Sequence, residues 1–179
     1  ILQFFGGEAL IEWELVQHGI TYGREQAKLW GKEIQFIISS NGWSIDQEKL
    51  AWLREHPVKL ELSLDGDRDT QNKFRRALEK GRDSYTEGIP EKAEMIRASG
   101  IPHEVIMVVH REAVSRMPEN FFHIVGLGFP RVQINFALGA VWSVDQKKAF
   151  AAGLHNIGEQ LKTRWLNGEQ VSLINLEGQ

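Results

Sequence analysis

The sequence predicts an α/β fold built on a parallel sheet. Short runs rich in Ile, Val, Leu and Phe alternate with longer amphipathic stretches along the 179 residues. The short runs carry few charges, as is typical of strands that are covered on both faces. Strands that alternate with helices pair in parallel, so an open doubly wound sheet and a (β/α) barrel both fit the pattern. The repeats are too few to close an eight-stranded barrel, and a barrel would therefore be partial.

The predicted strands are the runs in which branched and aromatic residues concentrate. Polar residues, Gly or Pro bound these runs, which favours a short strand over a segment of helix. A further strand-like run stands near the end of the sequence. The predicted strands are Ile1–Phe5, Glu33–Ser39, Val58–Leu64, Glu104–Val109 and Val132–Ala137, with Val171–Leu176 as the last run.

The segments between the strands carry the start and stop signals of helices. Asp46 is predicted to cap Gln47–Glu55, and Pro57 stops that helix. Gly19 and Gly23 interrupt the first helical segment, which is predicted as a helical hairpin or a broken helix. The other predicted segments are Glu8–Gln17, Arg24–Trp30, Thr70–Lys80, Pro90–Ser99, Pro118–Val125 and Val144–Trp165, the last capped by Ser143.

The composition is ordinary for a globular protein and argues against several kinds of partner. Hydrophobic residues make up 42% and charged residues 25% of the chain, with a formal net charge of −3. That charge offers no attraction for nucleic acid or for an anionic membrane. No apolar run is long enough to span a bilayer, and the first residues lack the basic leader of a signal peptide. We expect a cytoplasmic protein without nucleic-acid or membrane partners.

The sequence contains no Cys and does not begin with Met. Disulfides, thiolate nucleophiles and thiolate metal sites are therefore excluded from these residues. Because the first residues already form a strand-like run, we expect residues 1–179 to be a single domain that begins in mid-domain, as a fragment. The His residues show no metal-ligand spacing, so no metal ligand is predicted, and His110 at a strand end is interpreted as structural.

Small and polar residues stand where the predicted strands end. Ligands of parallel α/β folds bind at the carboxyl ends of the strands, so these residues are predicted to share one rim as a ligand site. The alternative, that they only build turns, stays open. The residues concerned are Gly6-Gly7-Glu8, Ser40-Asn41, Ser63-Leu64-Asp65 and Asn135.

Two of these segments suit a particular ligand group. Two glycines let a backbone approach a ligand closely, and the carboxylate of Glu8 suits a cation such as an amino group. Ser63 and Asp65 are two residues apart and face one side of a strand, where a hydroxyl and a carboxylate suit the diol of a ribose. The structural alternatives are a strand-to-helix turn with Glu8 near a helix N-terminus, and a capping turn after Ser63.

Three segments together resemble the radical S-adenosylmethionine (radical SAM) superfamily. They are Phe4-Phe5-Gly6-Gly7-Glu8-Ala9-Leu10, Ser40-Asn41-Gly42 and Ser63-Leu64-Asp65-Gly66, in the order and at the spacing of the family. The likeness extends from Ile1 to about Arg164 and is nearest to the SPASM-type subgroup, which modifies peptides and proteins. The resemblance implies an incomplete (β/α) partial barrel of the radical SAM type, with parallel strands and outer helices.

The resemblance also implies which residues hold S-adenosylmethionine. Gly6, Gly7 and Glu8 would contact the methionyl amino group, and Ser63 and Asp65 would sit near the ribose. The remaining implied residues complete the same cavity, and catalytic residues are not identified. They are Arg75, at a position that often pairs with the methionyl carboxylate, Ser40 and Asn41 in the cavity wall, and Asn135 and Phe136 on the strand that usually borders the adenine.

The chain departs from the family at the cluster motif. The family places Cys-x3-Cys-x2-Cys after the strand that precedes the Gly-Gly-Glu strand, and this sequence holds neither that strand nor its loop. We expect the first strand and the cluster loop to be missing, with a C-terminal extension as a further missing part. A [4Fe–4S] cluster is expected in the full-length protein, with its ligands outside this chain.

The function implied by the resemblance is that of a radical SAM enzyme core. It would bind S-adenosylmethionine for 5′-deoxyadenosyl radical chemistry on a peptide or another substrate, with an electron donor as a partner. The chain on its own is expected to be inactive. Two alternatives stay open, since fold alone does not decide function: a relative without a cluster that acts as a binding or interaction domain, and an unrelated (β/α) barrel with acid–base chemistry.

Overall fold

The structure is a computed structural model that describes residues 1–77 and 81–177. In these residues six strands follow one another in chain order across one sheet. This order confirms the predicted alternation of strands and helices, because each strand is separated from the next by a helical segment. The strands are β1 (Leu2–Phe4), β2 (Phe36–Ser40), β3 (Val58–Ser63), β4 (His103–Val109), β5 (Arg131–Phe136) and β6 (Ser172–Leu173).

The helices lie between the strands and follow the capping signals of the sequence. Asp46 caps its helix by accepting a hydrogen bond from the backbone N–H of Lys49 at 2.8 Å. Ser143 forms a capping box with Gln146, as its side chain and that of Gln146 bond each other's backbone N–H. The helices are α1 (Trp13–Leu29), α2 (Gln47–Arg54), α3 (Arg68–Phe74), α4 (Ile89–Ser99), α5 (Met117–Gly126) and α6 (Val144–Leu166).

The chain divides into two compact units, and parallel pairing is found within each. The first unit comprises Ile1–Ser63 and Gly88–Glu104, and the second comprises the described residues of Leu64–Glu87 and Val105–Gln179. In the first unit β2 pairs in parallel with β1 and with β3, and in the second β5 pairs in parallel with β4 and with β6. The prediction of a parallel α/β fold is confirmed, and that of a single domain stays a prediction.

The core of the first unit lies on one face of its strands. Phe36 and Ile38 of β2 are fully buried, and they pair in register with Val58 and Leu60 of β3. The neighbouring residues on these strands alternate to the other face, which is polar along β3. Burying one such large apolar side chain stabilises a fold by about 1.5–3 kcal/mol.

Helix α1 corrects the prediction of a hairpin or a broken helix, because it runs without a break from Trp13 to Leu29. A Cβ atom on Gly19 would stand 2.9 Å from the ring of Phe4, and one on Gly23 would stand 2.9 Å from the ring of Phe36. The two glycines therefore let the helix pack closely on aromatic rings of β1 and β2. They serve packing and do not end the helix.

Several other predicted boundaries also differ from the structure. Strand β2 begins at Phe36 and not at Glu33, and the predicted run 171–176 forms the two-residue strand β6 followed by a 3₁₀ turn at Ile174–Leu176. Helix α3 ends at Phe74, although the sequence predicted helix over Thr70–Lys80. Residues 78–80 of that prediction lie outside the described residues.

The second unit packs its helices on β4 and β5. Val105, Met107 and Val109 of β4 are buried in alternation, as expected for a strand with one covered face. Phe121 of α5 and Ile157 of α6 are fully buried in the same unit. Among the described residues, no helix is both long and apolar enough to cross a membrane.

Candidate functional site

The carboxylate of Glu8 is held in place by three hydrogen bonds in the first unit. Glu8 Oε1 accepts hydrogen bonds from the hydroxyl of Ser40 at 2.9 Å and from the backbone N–H of Leu10 at 3.1 Å. Glu8 Oε2 accepts one from the backbone N–H of Asn41 at 2.7 Å. The bond to Leu10 makes Glu8 the N-cap of a 3₁₀ turn over Ala9–Ile11, so the predicted capping role is also met.

The turn after β2 is built to hold that carboxylate. Ser40 is buried, and its hydroxyl accepts a hydrogen bond from the backbone N–H of Gly42 at 3.0 Å while it donates to Glu8. The side chain of Asn41 accepts a hydrogen bond from the backbone N–H of Trp43 at 2.8 Å. The structure therefore brings together Glu8, Ser40 and Asn41, as the strand-end pattern predicted.

Gly6 and Gly7 form an exposed segment before Glu8. A Cβ atom placed on either glycine would meet no atom within 4 Å. Their backbone groups are thus open to a ligand on the side where a side chain would stand, next to a fixed carboxylate. This arrangement suits an amino group, since the carboxylate would supply the charge and open backbone the close approach.

Ser63 is the last residue of β3. Its side chain is half-buried, and within residues 1–77 and 81–177 its hydroxyl makes no hydrogen bond. Two residues earlier on the same face, Glu61 is almost fully buried and accepts hydrogen bonds from Gln3 and Ser39, each at 2.9 Å. Lys59 lies 3.6 Å from Glu61 and donates a 2.7 Å hydrogen bond to Glu104.

This polar face of the first unit was missed by the sequence analysis. The signal was the alternation of Lys59, Glu61 and Ser63 within an otherwise apolar strand, which places three polar side chains on one face. Buried polar groups need partners, and Gln3 and Ser39 on the neighbouring strands supply them. Ser63 thus lies next to a cluster of hydrogen-bonded polar side chains formed by Gln3, Ser39 and Glu61, and its hydroxyl is available for a ligand.

Asp65 lies in the second unit and is only 1% exposed. Its Oδ2 accepts a hydrogen bond from Nε of Arg75 at 2.9 Å, and its Oδ1 accepts one from Nη2 of Arg75 at 3.0 Å. Its Oδ1 also accepts a hydrogen bond from the backbone N–H of Val108 at 3.0 Å. The structure brings two predicted site residues together as a bidentate ion pair between a buried carboxylate and a partly exposed guanidinium.

His110 and Phe74 complete the surroundings of Asp65. The imidazole of His110 stacks on the ring of Phe74, with centroids 3.9 Å apart and planes 2° from parallel. Its Nε2 lies 4.0 Å from Oδ2 of Asp65. His110 follows the last residue of β4, a strand-end position that the sequence analysis noted but assigned to a structural role.

Gly66 of the Ser63-Leu64-Asp65-Gly66 segment has a structural reason to be glycine. Its φ of +143° is a conformation that residues with a side chain rarely adopt. A Cβ atom there would stand 2.3 Å from the side chain of Asn120. Asn120 in turn accepts hydrogen bonds from the backbone N–H of Asp67 at 3.1 Å and from the hydroxyl of Thr70 at 3.2 Å.

Asp67, the N-cap of α3, and Asp83, which accepts hydrogen bonds from Arg68 and Asn72 of α3, are stabilised in their charged form. Burial alone would raise the pKa of Asp67, but hydrogen bonds from Thr70 and the charge of Arg116 hold it below its usual value. The backbone N–H of Thr86, the amide of Asn72 and the guanidinium of Arg68 hold the pKa of Asp83 far below its usual value. These bonds fix the segments on either side of Arg75.

Asn135 and Phe136 end β5 in the second unit. The side chain of Gln133 donates a 3.1 Å hydrogen bond to Oδ1 of Asn135. Phe136 is 54% exposed and lies edge-to-face with Trp142 and Phe150, at centroid distances of 6.4 and 6.3 Å. An exposed aromatic edge suits a flat ring, and the assignment of these residues to the adenine stays a prediction.

No family model matches the chain. A curated relative, the PqqA peptide cyclase of Gluconobacter oxydans (strain 621H), is 37% identical over 70 residues, which are 39% of this chain and 20% of the relative.

Solved structures match most of the chain in fold. Structures of anSMEcpe with bound AdoMet superpose with a TM-score of 0.81, at 19% identity, over 97% of this chain and 49% of that protein. The chain has the fold of the radical SAM enzymes. Its likeness to Streptococcus suis SuiB bound to S-adenosylmethionine is more distant, with a TM-score of 0.51 at 15% identity over 78% of this chain and 32% of that protein.

The likeness to the anSMEcpe structures confirms the fold that the resemblance implied. The chain spans about half the length of the anSMEcpe structures and a fifth of the curated relative. At 19% identity the structural likeness establishes the fold and leaves the role of each residue to be tested. The shared rim of the predicted site residues therefore stays a prediction.

Proposed function

We propose that this chain is the S-adenosylmethionine-binding core of a radical SAM enzyme that acts on a peptide. The observation that carries the proposal is the fixed carboxylate of Glu8 behind the open Gly6-Gly7 backbone, in a chain with the radical SAM fold. A carboxylate with its orientation already set by Ser40 and Asn41 can receive an amino group without reorganising.

A peptide substrate is supported by the names of the similar proteins. The curated relative is a PqqA peptide cyclase, and one matching structure holds anSMEcpe with both AdoMet and a peptide, at a TM-score of 0.82. The polar residues on β1, β2 and β3 of the first unit offer hydrogen-bonding groups to a peptide, where apolar side chains would offer none.

The donor set of this chain fits S-adenosylmethionine. Glu8 supplies an anion for the methionyl amino group, Ser63 a free hydroxyl for a ribose, and Arg75 a guanidinium for a carboxylate. Ser40 and Asn41 act by holding Glu8, and we propose that Asn135 and Phe136 border the adenine. When S-adenosylmethionine is bound in a complete enzyme, it supplies the 5′-deoxyadenosyl radical.

The chain does not fit an iron–sulfur cluster by itself. Such clusters are held by Cys thiolates, and the sequence contains no Cys. We derive no step through the cluster from these residues. A [4Fe–4S] cluster, its electron donor and a cytoplasmic location belong to the proposal for the complete protein, whose cluster ligands would lie outside this sequence.

The proposal is tested by S-adenosylmethionine cleavage. The complete product of the gene is reconstituted anaerobically with iron and sulfide, reduced, and assayed for 5′-deoxyadenosine. We expect cleavage in the wild type and a strong loss in Glu8→Ala, while Glu14→Ala, an exposed carboxylate on α1, keeps the activity. The chain of 179 residues alone is expected to form none. A complete product that assembles a cluster and yet forms no 5′-deoxyadenosine contradicts the proposal.

A second function is favoured by one observation, the absence of Cys from the whole chain. Under this second hypothesis the protein retains a site for S-adenosylmethionine, has no iron–sulfur cluster, and serves as a binding or interaction domain. It predicts binding of S-adenosylhomocysteine by the complete product together with the absence of any iron–sulfur absorbance after reconstitution. An unrelated acid–base enzyme would bind neither S-adenosylmethionine nor S-adenosylhomocysteine.

A further inference from the structure

The loop between β5 and α6 exposes a run of apolar residues in the second unit. Residues 138–141 are all apolar and exposed, with the side chains of Leu138 and Val141 85% and 84% exposed. Val144, the first residue of α6, is 67% exposed next to them. Globular proteins rarely expose several apolar residues in a row unless that surface binds a partner. We call Leu138, Ala140, Val141 and Val144 the loop patch.

Three aromatic rings hold the two ends of this loop together. Trp142 lies edge-to-face with Phe136 and Phe150, at centroid distances of 6.4 and 6.0 Å, and those two rings lie edge-to-face at 6.3 Å. Nε1 of Trp142 also donates a 3.2 Å hydrogen bond to the backbone carbonyl of Ala137. Rings from the end of β5, the loop and α6 therefore form one cluster beside the loop patch.

The end of β4 and the segment after it fix the same loop. Nη1 of Arg111 donates a 3.2 Å hydrogen bond to the backbone carbonyl of Val141, and the side-chain amide of Gln146 donates one to the carbonyl of Arg111 at 3.4 Å. The backbone N–H of Ala137 donates a 2.9 Å hydrogen bond to the carbonyl of Val109. The apolar side chains are thus presented on an ordered loop, and a partner that binds them need not order it.

Positive charge predominates next to the loop patch, although the chain has a formal net charge of −3. Lys147 and Lys148 are exposed and follow Val144 by three and four residues in α6, so they lie on the same side of the helix. Glu112 is already paired, because its carboxylate accepts a 2.8 Å hydrogen bond from Nε of Arg111. The neighbouring cations are Lys73, Arg111, Lys147 and Lys148, and the neighbouring anions are Glu112 and Asp145.

We propose that the loop patch is a docking surface for a peptide segment in which apolar side chains are flanked by carboxylates. This inference rests on the proposed function, since it places part of the peptide substrate at the loop that follows β5. The apolar side chains of the peptide would cover Leu138, Val141 and Val144. Its carboxylates would pair with Lys147 and Lys148, whose charge would also speed the encounter.

A short acidic peptide fits this surface better than a second copy of the chain or a membrane. A stable interface between proteins uses roughly 20–30 residues a side, far more than the loop patch offers. Two copies that met through the same surface would also bring Lys147 and Lys148 of each copy against those of the other. An anionic membrane would attract these lysines but repel the net negative charge of the chain.

The test follows the methyl NMR signals of the loop patch while the full chain is titrated with synthetic peptides. The first peptide has Leu and Phe at its centre and Glu at both ends. Two matched peptides carry Lys in place of each Glu, or Ser in place of Leu and Phe. We expect saturable shifts at Leu138, Val141 and Val144 with the first peptide, and affinities about tenfold or more weaker for the matched peptides.

Matched variants separate the apolar contact from the charge. Val141→Ser is expected to weaken the acidic peptide about fivefold or more, while Leu166→Ser, at an equally exposed apolar position of α6, leaves the affinity unchanged. Lys148→Glu is expected to weaken the acidic peptide and to strengthen the peptide that carries Lys. Lys162→Glu, an exposed position further along α6, is the control and should change neither affinity. A loss of structure would not reverse the preference for charge.

The outcomes distinguish this inference from the proposed function. Binding of S-adenosylhomocysteine to the same chain is measured in parallel by calorimetry. A chain that binds S-adenosylhomocysteine but shows no shift at the loop patch, or binds the acidic and the Lys peptides equally, overturns the inference alone. A chain that does not bind S-adenosylhomocysteine overturns the proposed function, and the shifts at the loop patch still decide whether it is a docking surface for an acidic peptide.

Three further outcomes would assign the loop patch to another occupant and overturn the inference. Self-association of the chain that Val141→Ser abolishes would point to a second copy. Sedimentation with phosphatidylserine vesicles that the same change abolishes would point to a membrane. A complete gene product that does not bind a fluorescent form of the acidic peptide, although the chain of 179 residues does, would show that another part of the protein covers the loop patch.

Discussion

At the scale of single residues, Glu8 is both a structural and a candidate binding group. It caps the 3₁₀ turn at Ala9–Ile11 and ties the end of β2 to the loop after β1. The same three hydrogen bonds that stabilise the turn also orient the carboxylate. A change at this position therefore affects the stability of the first unit as well as ligand binding.

Replacing Glu8 by Ala is expected to destabilise the protein by about 1–3 kcal/mol. The change leaves the buried hydroxyl of Ser40 and the backbone N–H of Asn41 without their acceptor. Urea unfolding followed by circular dichroism measures the loss. Glu14→Ala is the control, and an equal effect of the two changes would show that the three bonds contribute nothing.

The sequence identified which residues gather around Glu8 but not how Asp65 is used. Ser40 ends a strand that pairs with β1 and Asn41 follows it, so their approach to Glu8 follows from parallel pairing alone. The bond of Asp65 to Arg75 and Val108 requires that α3 ends at Phe74 and that β4 runs alongside. No local pattern carries that information.

At the scale of elements, α1 shows how closely a helix approaches the sheet. Gly19 and Gly23 lie where aromatic rings of β1 and β2 leave no room for a Cβ atom. The sequence showed two glycines in a helical segment. Glycine either interrupts a helix or lets a side chain of another element pack closely against the helix. Only the position of Phe4 and Phe36 decides between these, so the prediction of a broken helix was wrong.

Gly19→Ala is expected to destabilise the protein although Ala is the better helix former. A methyl group would have to displace the ring of Phe4, and overpacking of this kind costs about 1–3 kcal/mol. Gly158→Ala in α6, where nothing lies within 4 Å, is the matched control and should stabilise by up to about 1 kcal/mol. Urea unfolding that gives both changes the same sign contradicts the packing role.

The capping box of α6 makes a second prediction about an element. Ser143→Ala removes the acceptor for the backbone N–H of Gln146 and should destabilise by about 1 kcal/mol. Thermal unfolding measures the effect, with the exposed Ser115→Ala as its control. Equal melting temperatures for wild type and Ser143→Ala would show that the box adds no stability.

At the scale of the whole molecule, the fold follows from the sequence more readily than the site does. Alternating apolar runs and caps predicted the six parallel strands and their helices, because each signal is local. The sequence did not predict the hydrogen-bonded polar cluster of Gln3, Ser39 and Glu61, because the cluster forms only when three strands lie side by side. The structure shows the local surroundings of each site residue that the resemblance implied. The proposed experiments test whether these residues bind one ligand.

The molecule as a whole is expected to lose stability in acid. Asp67 and Asp83 have pKa values below the usual range in the folded state, so their contribution is present above the unfolded value of about 4 and is lost as the pH falls through the folded values. Urea unfolding between pH 5 and pH 2 is expected to show the decline. Asp83→Asn should make the decline in unfolding free energy between pH 5 and pH 2 smaller, and the exposed Asp69→Asn should leave it unchanged. A smaller decline in Asp69→Asn than in Asp83→Asn would contradict the role given to Asp83.

The central claim, that this chain binds S-adenosylmethionine through its Gly-Gly-Glu segment, is tested most directly by a crystal structure of the full chain with S-adenosylhomocysteine. We predict density for the ligand with its amino group within hydrogen-bond distance of the Glu8 carboxylate and beside the backbone of Gly6 and Gly7. Ligand density that lies away from Glu8, or no density at a concentration that saturates binding in solution, would contradict the claim.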